Sequence, residues 1–437
     1  MISKRILIVG GGMAGVRAAI GAARSLRSAG GQMELTIELI SPSPWMVVRP
    51  RLYEADLAGV RVPLDPLLAS IGVRLRRGHV AEIDARARTV RLAERAEPIH
   101  YNQLVLSAGS RLQHPWQELV HTVDTYSEAL ALHERIAELA ARPGAQMSAV
   151  VVGGGFTGIE VAAELSGMLE QVAPGRQRGP ITLIERAPSV APEFGPHARA
   201  LIERALRSLG VELRTGAAVR EVREDGVVLA DRASVDGELV VWASGPRASE
   251  LTEQVAGARD PLGRLIVDCD LASQSEGVWA AGDSACARAD RQHTALMSCQ
   301  HALAQGAVAG ANAVSLALGR RPQRYRQPLY LTCLDLGPAG ALLTCGFERN
   351  RVLAHGAEAK HFKRYINRSL IYPPADAQAA AILALGRRAR GRRSAARLSG
   401  LALRSGRVRA IVCDRAEDRA AQFAEIADQL LGREAAL

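Results

Sequence analysis

The stretch Ile6-Leu7-Ile8-Val9-Gly10-Gly11-Gly12-Met13-Ala14-Gly15 decides the fold of this chain. An apolar run leads into a G-x-G-x-x-G sequence, and an alanine-rich helical pattern follows, which is typical of a strand, turn and helix that bind a dinucleotide. Gly10 allows the tight turn, Gly12 lets backbone N–H groups approach a pyrophosphate, and Gly15 lets the helix pack closely on its strand. The sequence therefore predicts a phosphate cradle at this helix N-terminus.

A second fingerprint of the same form occurs further along the chain. It reads Ala149-Val150-Val151-Val152-Gly153-Gly154-Gly155-Phe156-Thr157-Gly158 and also precedes an alanine-rich helical pattern. Residues 35–40 and 181–185 supply the next strand of each βαβ unit. Two cradles in one chain indicate two dinucleotides bound at once, and the usual reason for that is electron transfer between them.

Composition and charge exclude several classes of protein. An apolar content of 48% and the absence of an 18-residue apolar run predict a globular chain without a membrane-spanning helix. The first strand begins by Ile6, which leaves no room for a signal peptide, and six scattered cysteines without a C-x-x-C pair favour reduced thiols over disulfides or a metal site. We therefore expect a cytoplasmic protein. The net charge of +10 is spread along the chain, which favours a solvated basic surface over nucleic-acid binding.

Further motifs accompany the two fingerprints, and together they carry a family resemblance. They are Arg49-Pro50-Arg51-Leu52-Tyr53-Glu54, residues 78–92, residues 101–109, Thr157-Gly158-Ile159-Glu160, Ile184-Glu185, Trp242-Ala243-Ser244-Gly245 and Ala281-Gly282-Asp283. The chain resembles the two-dinucleotide flavoproteins of the pyridine nucleotide-disulfide oxidoreductase superfamily. Within that superfamily it is most similar to the type II NADH dehydrogenases, which are NADH:quinone oxidoreductases.

The resemblance implies an α/β fold in which two Rossmann-like, doubly wound domains bind FAD and NAD(P)H and a C-terminal α+β domain follows. The FAD-binding domain is expected to be discontinuous, with residues 1–115 and 270–325. The NAD(P)H-binding domain is expected at residues 116–269, and the C-terminal domain, with an arginine-rich segment at 386–397, at residues 326–437. A long helix is predicted at about residues 292–318.

The FAD site implied by the resemblance draws on both parts of the first domain. Asp283 would hold a ribityl hydroxyl, and Val80 would present its backbone to the adenine. Ser41 stands where an acidic residue normally binds the adenosine ribose, so its bond lacks charge assistance. The predicted FAD-binding residues are Gly10, Gly12, Met13, Ala14, Gly15, Ser41, Arg49, Pro50, Val80, Ala108, Gly109, Gly282, Asp283, Gln300 and Ala302.

In the nicotinamide site implied by the resemblance, the second strand of the βαβ unit ends in an acidic residue. Glu185 would accept both ribose hydroxyls and repel a 2′-phosphate, which favours NADH over NADPH. Arg186 follows directly and offers a partner to a phosphate, so NADPH stays open. The predicted NAD(P)-binding residues are Gly153, Gly155, Phe156, Thr157, Gly158, Glu185, Arg186 and Gly245.

Two residues are predicted to be catalytic. The resemblance implies that Glu160 handles protons at the junction of flavin and nicotinamide, although a carboxylate there also stabilises a helix N-terminus. Gln300 belongs to residues 299–306, which match a quinone-pocket motif in part. Whether His301 reaches the flavin or faces solvent, and whether Cys299 is reactive or structural, stays open. A lysine of residues 360–366 is similar to one that approaches the flavin.

The acceptor and the assembly stay open. No cysteine precedes Cys269, so dithiol chemistry near the first helix is not expected. A quinone is the expected acceptor; a soluble acceptor and a non-catalytic nucleotide sensor are the alternatives. Residues 376–404 carry a weak amphipathic signal for peripheral attachment to the cytoplasmic membrane face. Similar proteins are commonly homodimers.

Overall fold

The computed structural model describes residues 4–30, 35–116, 118–176 and 178–373. The arginine-rich segment at 386–397 and the amphipathic signal at 376–404 lie outside the described residues. Within the described ranges, no helix is long and apolar enough to cross a membrane.

The described residues before position 113 form the first nucleotide-binding unit and two small antiparallel elements. The elements are β1 (Lys4–Val9), α1 (Met13–Ser28), β2 (Leu35–Ser41), β3 (Trp45–Val47), β4 (Arg61–Pro63), α2 (Leu64–Ser70), β5 (Arg74–Arg77), β6 (Val80–Asp84), β7 (Thr89–Leu92), β8 (Ile99–His100), β9 (Gln103–Leu106) and β10 (Ser110–Leu112).

The middle of the chain repeats this strand–helix–strand order. Its elements are α3 (Tyr126–Ala141), β11 (Ala149–Val152), α4 (Phe156–Val172), β12 (Ile181–Glu185), α5 (Pro196–Ser208), β13 (Val211–Thr215), β14 (Val219–Arg223), β15 (Gly226–Leu229), β16 (Ser234–Asp236), β17 (Leu239–Trp242), β18 (Pro246–Ala248) and β19 (Leu265–Ile266).

The last described part returns to the first sheet and then forms an antiparallel layer. Its elements are β20 (Val278–Ala280), β21 (Ala285–Cys286), α6 (Cys299–Ala317), β22 (Leu331–Asp335), β23 (Ala341–Cys345), β24 (Arg351–His355) and α7 (Gly356–Tyr365), which the π-helical turn Ile366–Leu370 continues.

Two parallel sheets carry the two fingerprints. The first has the strand order β20-β9-β1-β2-β5, and the second has the order β13-β12-β11-β17. β1 and β11 occupy inner positions in these sheets and are almost entirely buried, as expected for apolar strands covered on both faces. Each sheet places its glycine turn at the carboxyl end of the strand, the edge at which open α/β sheets bind ligands. This confirms the predicted pair of Rossmann-like units.

Close helix packing ties the returning segment to the start of the chain. A Cβ atom at Gly306 would lie 2.1 Å from the carbonyl oxygen of Ala14, and one at Gly310 would lie 2.0 Å from that of Ala18. Gly21 of α1 is equally tight against the backbone of Ala307. Only glycine permits such backbone contact, so α1 and α6 pack at very short range.

The remaining strands join the units and close the site. The antiparallel pair β10 and β18 connects the first and second units. The antiparallel sheet β22-β23-β24 carries α7 on one face, which matches the predicted α+β C-terminal domain. The domain boundaries at 115, 269 and 325 stay predictions.

One element differs from its prediction. α6 begins at Cys299 and not near 292, because Ser298 caps its N-terminus by accepting a hydrogen bond from the backbone N–H of His301 at 3.3 Å. Residues 285–297 instead form β21 and a loop.

Candidate functional site

The two glycine turns adopt almost the same backbone. Gly10 has φ of +112° and Gly153 has φ of +113°, a region that favours glycine. The helix N-caps that follow, Gly12 and Gly155, both have φ of −81°. The predicted requirement for glycine at the tight turns is therefore met twice with one geometry.

The third glycine of each fingerprint sits where a side chain cannot fit. A Cβ atom on Gly15 would lie 1.8 Å from the carbonyl oxygen of Gly10, and one on Gly158 would lie 1.8 Å from that of Gly153. Gly12, by contrast, faces open space, with no atom within 4 Å of a built Cβ. This is the geometry of a cradle that keeps room for phosphate beside bare backbone.

A cavity of about 440 Å³ opens in front of both cradles. It is enclosed by α1, α4, the start of α6, β22 and α7, so the first unit, the second unit and the C-terminal sheet all contribute to its wall. The predicted site residues that line it are Gly12, Met13, Ala14, Arg49, Pro50, Gly109, Phe156, Thr157, Glu160, Asp283, Gln300 and Ala302.

The other predicted residues do not line the cavity, and several of them form the backbone turns beside it. Gly10, Gly15, Gly153 and Gly158 form the turns, and Gly282, with φ of +68°, packs against Ala14. The predicted residues that do not line the cavity are Gly10, Gly15, Ser41, Val80, Ala108, Gly282, Gly153, Gly155, Gly158, Glu185, Arg186 and Gly245.

A polar cluster around Asp283 lines one side of the cavity. Asp283 accepts a hydrogen bond from the Ser110 hydroxyl at 2.7 Å and lies 3.5 Å from the Arg49 guanidinium. Arg49 also pairs with the buried Asp124 and donates to Ser110 at 2.9 Å. One cation therefore faces two carboxylates, which fixes the Asp283 carboxylate at the cavity wall.

The end of β2 is built differently from the end of β12. The Ser41 hydroxyl is buried and donates to the carbonyl oxygen of Ser43 at 2.9 Å. Glu38 does not replace it, because its buried carboxylate pairs with Arg76 at 2.8 Å. At the end of β12, Glu185 accepts hydrogen bonds from the backbone N–H groups of Gly154 and Ala187, both at 2.7 Å.

A second carboxylate lies at the N-terminus of α4. Glu193 accepts a hydrogen bond from the backbone N–H of Phe156 at 3.2 Å. Its Oε1 atom also lies 3.3 Å from Nη1 of Arg349, which lies in the loop between β23 and β24. The second cradle therefore holds an anionic group of the protein itself next to a cation.

Glu160 is buried where the cavity meets the C-terminal sheet. Lys363 donates to its Oε1 atom at 2.8 Å, and the backbone N–H of Asp335 donates to the same atom at 2.9 Å. Burial raises the pKa of Glu160 to about 7, although the Lys363 ammonium works in the opposite direction. Burial disfavours the charge of Lys363, but Glu160 and neighbouring acidic groups outweigh this and raise the Lys363 pKa.

Gln300 and His301 take positions that the sequence left open. The Gln300 side chain lines the cavity and bridges to the start of β22, donating to the Leu329 carbonyl at 3.4 Å and accepting from the Leu331 N–H at 3.3 Å. His301 is buried and stacks on Tyr330 with ring centroids 4.8 Å apart, so it does not face solvent.

Two thiols lie at the cavity wall, those of Cys299 and Cys333. Burial raises the pKa of both, and that of Cys333 reaches about 12. Since the thiolate is the nucleophile, burial lowers the reactivity of both cysteines.

Sequence reasoning missed several residues at or behind the cavity wall that come from separate segments of the chain. They are Asp124, Asp335, Arg349 and Asn367. Tyr53 and Lys363 fall within the quoted segments 49–54 and 360–366, but the sequence assigned Tyr53 no role. No local pattern singled out the other four, because they meet only in the folded chain.

These features define a flavoprotein with two nucleotide sites that meet at one cavity. A family model described as pyridine nucleotide-disulphide oxidoreductase matches residues 4–306, and the chain belongs to that family. It is an NAD(P)H-dependent flavin oxidoreductase with FAD and NADH as its cofactors.

Three similar proteins are named as a dehydrogenase-like protein, a reductase and an oxidoreductase. An NADH dehydrogenase-like protein of Mycobacterium tuberculosis is 41% identical over 392 residues, which cover 87% of this chain and 97% of the relative. The demethylphylloquinone reductase NdbB of Synechocystis is 29% identical and covers 78% of this chain and 86% of its own length. The sulfide:quinone oxidoreductase of Aquifex aeolicus has the same fold, with a TM-score of 0.71 at 19% identity, and the match covers 87% of this chain and 92% of that chain.

The residues present fit both cofactors. Gly12 leaves its side of the cavity free for a pyrophosphate, and Asp283 is held at the wall where a ribityl hydroxyl would need an acceptor. At the second cradle, the N–H groups of Gly154 and Phe156 already bind carboxylate oxygens, so they are oriented for anions.

Proposed function

We propose that the protein catalyses electron transfer from NADH to a quinone. The type II NADH:quinone oxidoreductase NdhA of Mycobacterium tuberculosis is 28% identical and covers 64% of this chain and 66% of its own length. Its name and that of NdbB specify quinone-type acceptors. When bound, FAD supplies the redox chemistry, taking two electrons from NADH and passing them to the acceptor.

The Glu160–Lys363 pair is the observation that carries the proposal. A quinone takes up two protons with its two electrons, whereas a one-electron carrier such as an iron–sulfur protein takes up none. A buried carboxyl group with a pKa of about 7 at the cavity wall holds a proton in the neutral range and can donate it. Such a group serves an acceptor that must be protonated.

The wall beside this pair suits a flat apolar ring. Val47, Leu303, Ile366, Leu370 and Ile371 line the cavity together with the carboxyl and ammonium groups. Ligand sites of this kind combine an apolar lining with a few placed polar groups. Lys363 would stabilise negative charge that develops on the acceptor oxygen, and Glu160 would supply the proton.

A polar connection reaches outward from Glu160. Asp335 accepts hydrogen bonds from the Tyr53 hydroxyl at 3.1 Å and from Lys360, whose side chain is 19% exposed. Because Lys363 contacts Glu160 directly and Lys360 is partly exposed, we propose that protons reach Glu160 from the side of α7.

The quinone proposal extends to location. A lipid-soluble acceptor and a water-soluble donor would meet at the cytoplasmic membrane face, so we propose a cytoplasmic protein with peripheral membrane contact. The segment predicted for that contact, residues 376–404, and a homodimer belong to the same proposal.

The test compares acceptors in the absence of oxygen. The FAD-loaded protein is reduced with one equivalent of NADH and mixed with ubiquinone-1, menadione or ferricyanide in a stopped-flow instrument. We expect fast reoxidation by the quinones and a loss of about 100-fold in that step for Glu160→Gln, with ferricyanide unaffected.

Glu170→Gln, at an exposed position of the same helix, is the matched control and should behave as the unaltered protein. Reoxidation by the quinones no faster than by dissolved oxygen, measured in a separate aerobic experiment, would contradict the proposal. Fast reoxidation by a ferredoxin of suitable reduction potential, at a rate that does not depend on Glu160, would instead favour a ferredoxin-type acceptor. A probable ferredoxin reductase of Castellaniella defragrans is among the relatives, at 30% identity over 65% of this chain and 68% of its own length.

A further inference from the structure

Glu193 occupies a place in the second cradle that a phosphate oxygen would take. Its Oε1 atom accepts the Phe156 N–H, which belongs to the first residue of α4. A helix N-terminus directly after a glycine fingerprint is where a dinucleotide pyrophosphate binds. The carboxylate therefore marks an anion position within the cradle.

Arg349 supplies the positive charge beside this anion position. Its side chain is 9% exposed, it lines the cavity, and its Nη1 atom lies 3.3 Å from the same Glu193 oxygen. Among the described residues, the buried Nε atom of Arg349 has no hydrogen-bond partner. A guanidinium with five donors is thus only partly satisfied, and a buried charge in that state attracts a further anion.

The surroundings hold Arg349 in this place. Its guanidinium lies over the rings of Phe194 at 5.0 Å, Tyr330 at 5.7 Å and Phe156 at 5.8 Å. Its backbone has φ of +46°, a left-handed conformation that non-glycine residues keep only where the structure enforces it. Glu193 is the more exposed partner, with 34% of its side chain exposed, so its carboxylate has room to turn into water.

We propose that Arg349, from the loop between β23 and β24, binds the pyrophosphate of NADH, and that Glu193 is the carboxylate that the pyrophosphate displaces. One phosphate oxygen would take over both donors, the Phe156 N–H and the Arg349 guanidinium. The nucleotide is thereby held by the second unit and the C-terminal sheet together. Pyrophosphate binding on the NADH side does not depend on which acceptor takes the electrons, so it would stand even if the acceptor were not a quinone.

The test measures binding without turnover. ADP-ribose, which carries the pyrophosphate but no nicotinamide, is titrated into the FAD-loaded protein by calorimetry. Arg349→Gln should raise the dissociation constant about tenfold or more, as expected for loss of a charge-assisted bond. Arg351→Gln is the matched control, since Arg351 is an exposed residue of the same hairpin, and it should leave the constant unchanged.

A second variant keeps the proposal testable if Arg349→Gln does not fold. Glu193→Ala removes the competing carboxylate, so ADP-ribose should bind several-fold more tightly, about threefold to tenfold. Flavin content and the midpoint of thermal unfolding establish that each variant is folded. Unchanged ADP-ribose affinity in folded Arg349→Gln, or weaker affinity in Glu193→Ala, would overturn the proposal.

Discussion

The two glycine cradles share a backbone and differ in the side chains around it. Their tight turns agree within one degree in φ, yet the residue two places after the last glycine is Arg17 in the first helix and Glu160 in the second. The strand that follows ends in Ser41 in the first unit and in Glu185 in the second. The backbone thus specifies a dinucleotide, and the side chains specify how it is used.

The carboxylates of the second cradle suit a ligand that comes and goes. Glu185 and Glu193 bind backbone N–H groups of the cradle and its surroundings, so these donors are satisfied before a nucleotide arrives. An entering nucleotide exchanges one set of bonds for another, and its net gain in free energy is modest. The first cradle ends its second strand in Ser41, whose hydroxyl binds its own loop, so this strand end offers the FAD ribose no charged acceptor.

The largest expected effect comes from the matched variants Gly15→Val and Gly158→Val. Both place a Cβ atom 1.8 Å from a carbonyl oxygen, so both must disrupt their own strand–helix contact. We expect Gly15→Val to be purified without flavin, and Gly158→Val to keep its flavin but lose reduction by NADH. Visible absorbance before and after anaerobic addition of NADH distinguishes the two. If Gly158→Val lost flavin as readily as Gly15→Val, the cradles would not be independent.

A smaller effect is expected in the pH dependence of quinone reduction, and it tests the role of Glu160 on α4. Because burial raises the pKa of Glu160 to about 7, the protonated donor is present below that pH and is lost as the pH rises through it. Reoxidation of the reduced protein by menadione should therefore slow above pH 7, with one inflection. In Glu160→Gln the reaction should be slow and free of that inflection. An inflection near pH 7 that persists in Glu160→Gln would assign the titration to another group.

The smallest effect separates the two strand ends. Glu185→Ala should lower the preference for NADH over NADPH by about tenfold, since it removes the carboxylate that repels a 2′-phosphate. Ser41→Ala should change FAD affinity by less than about threefold, because the Ser41 hydroxyl already binds its own loop. Steady-state kinetics with both nucleotides and equilibrium dialysis of FAD measure the two quantities. A large loss of FAD in Ser41→Ala would show that the hydroxyl turns toward the ribose.

The two glycine fingerprints, with the apolar runs beside them, were enough to predict β1, α1 and β2 of the first sheet and β11, α4 and β12 of the second. Gly10 and Gly15 leave a local signal because backbone geometry admits no other residue there. The partners of Glu160 left none, because Lys363 is 203 positions away and meets it only through packing of α7. The same holds for Arg349 with Glu193. Pairs between distant segments depend on tertiary contacts that a single sequence does not encode in any short pattern.

The close packing of α1 against α6, which is encoded almost 300 residues later, has a consequence for folding during synthesis. The edge strand at residues 278–280 and the helix that covers the first sheet leave the ribosome only after the whole middle unit has emerged. The middle sheet draws its strands from residues 149–242 and is complete by then. Folding during translation would therefore finish the NADH unit first, and the nascent chain would acquire its flavin as one of the last steps of maturation.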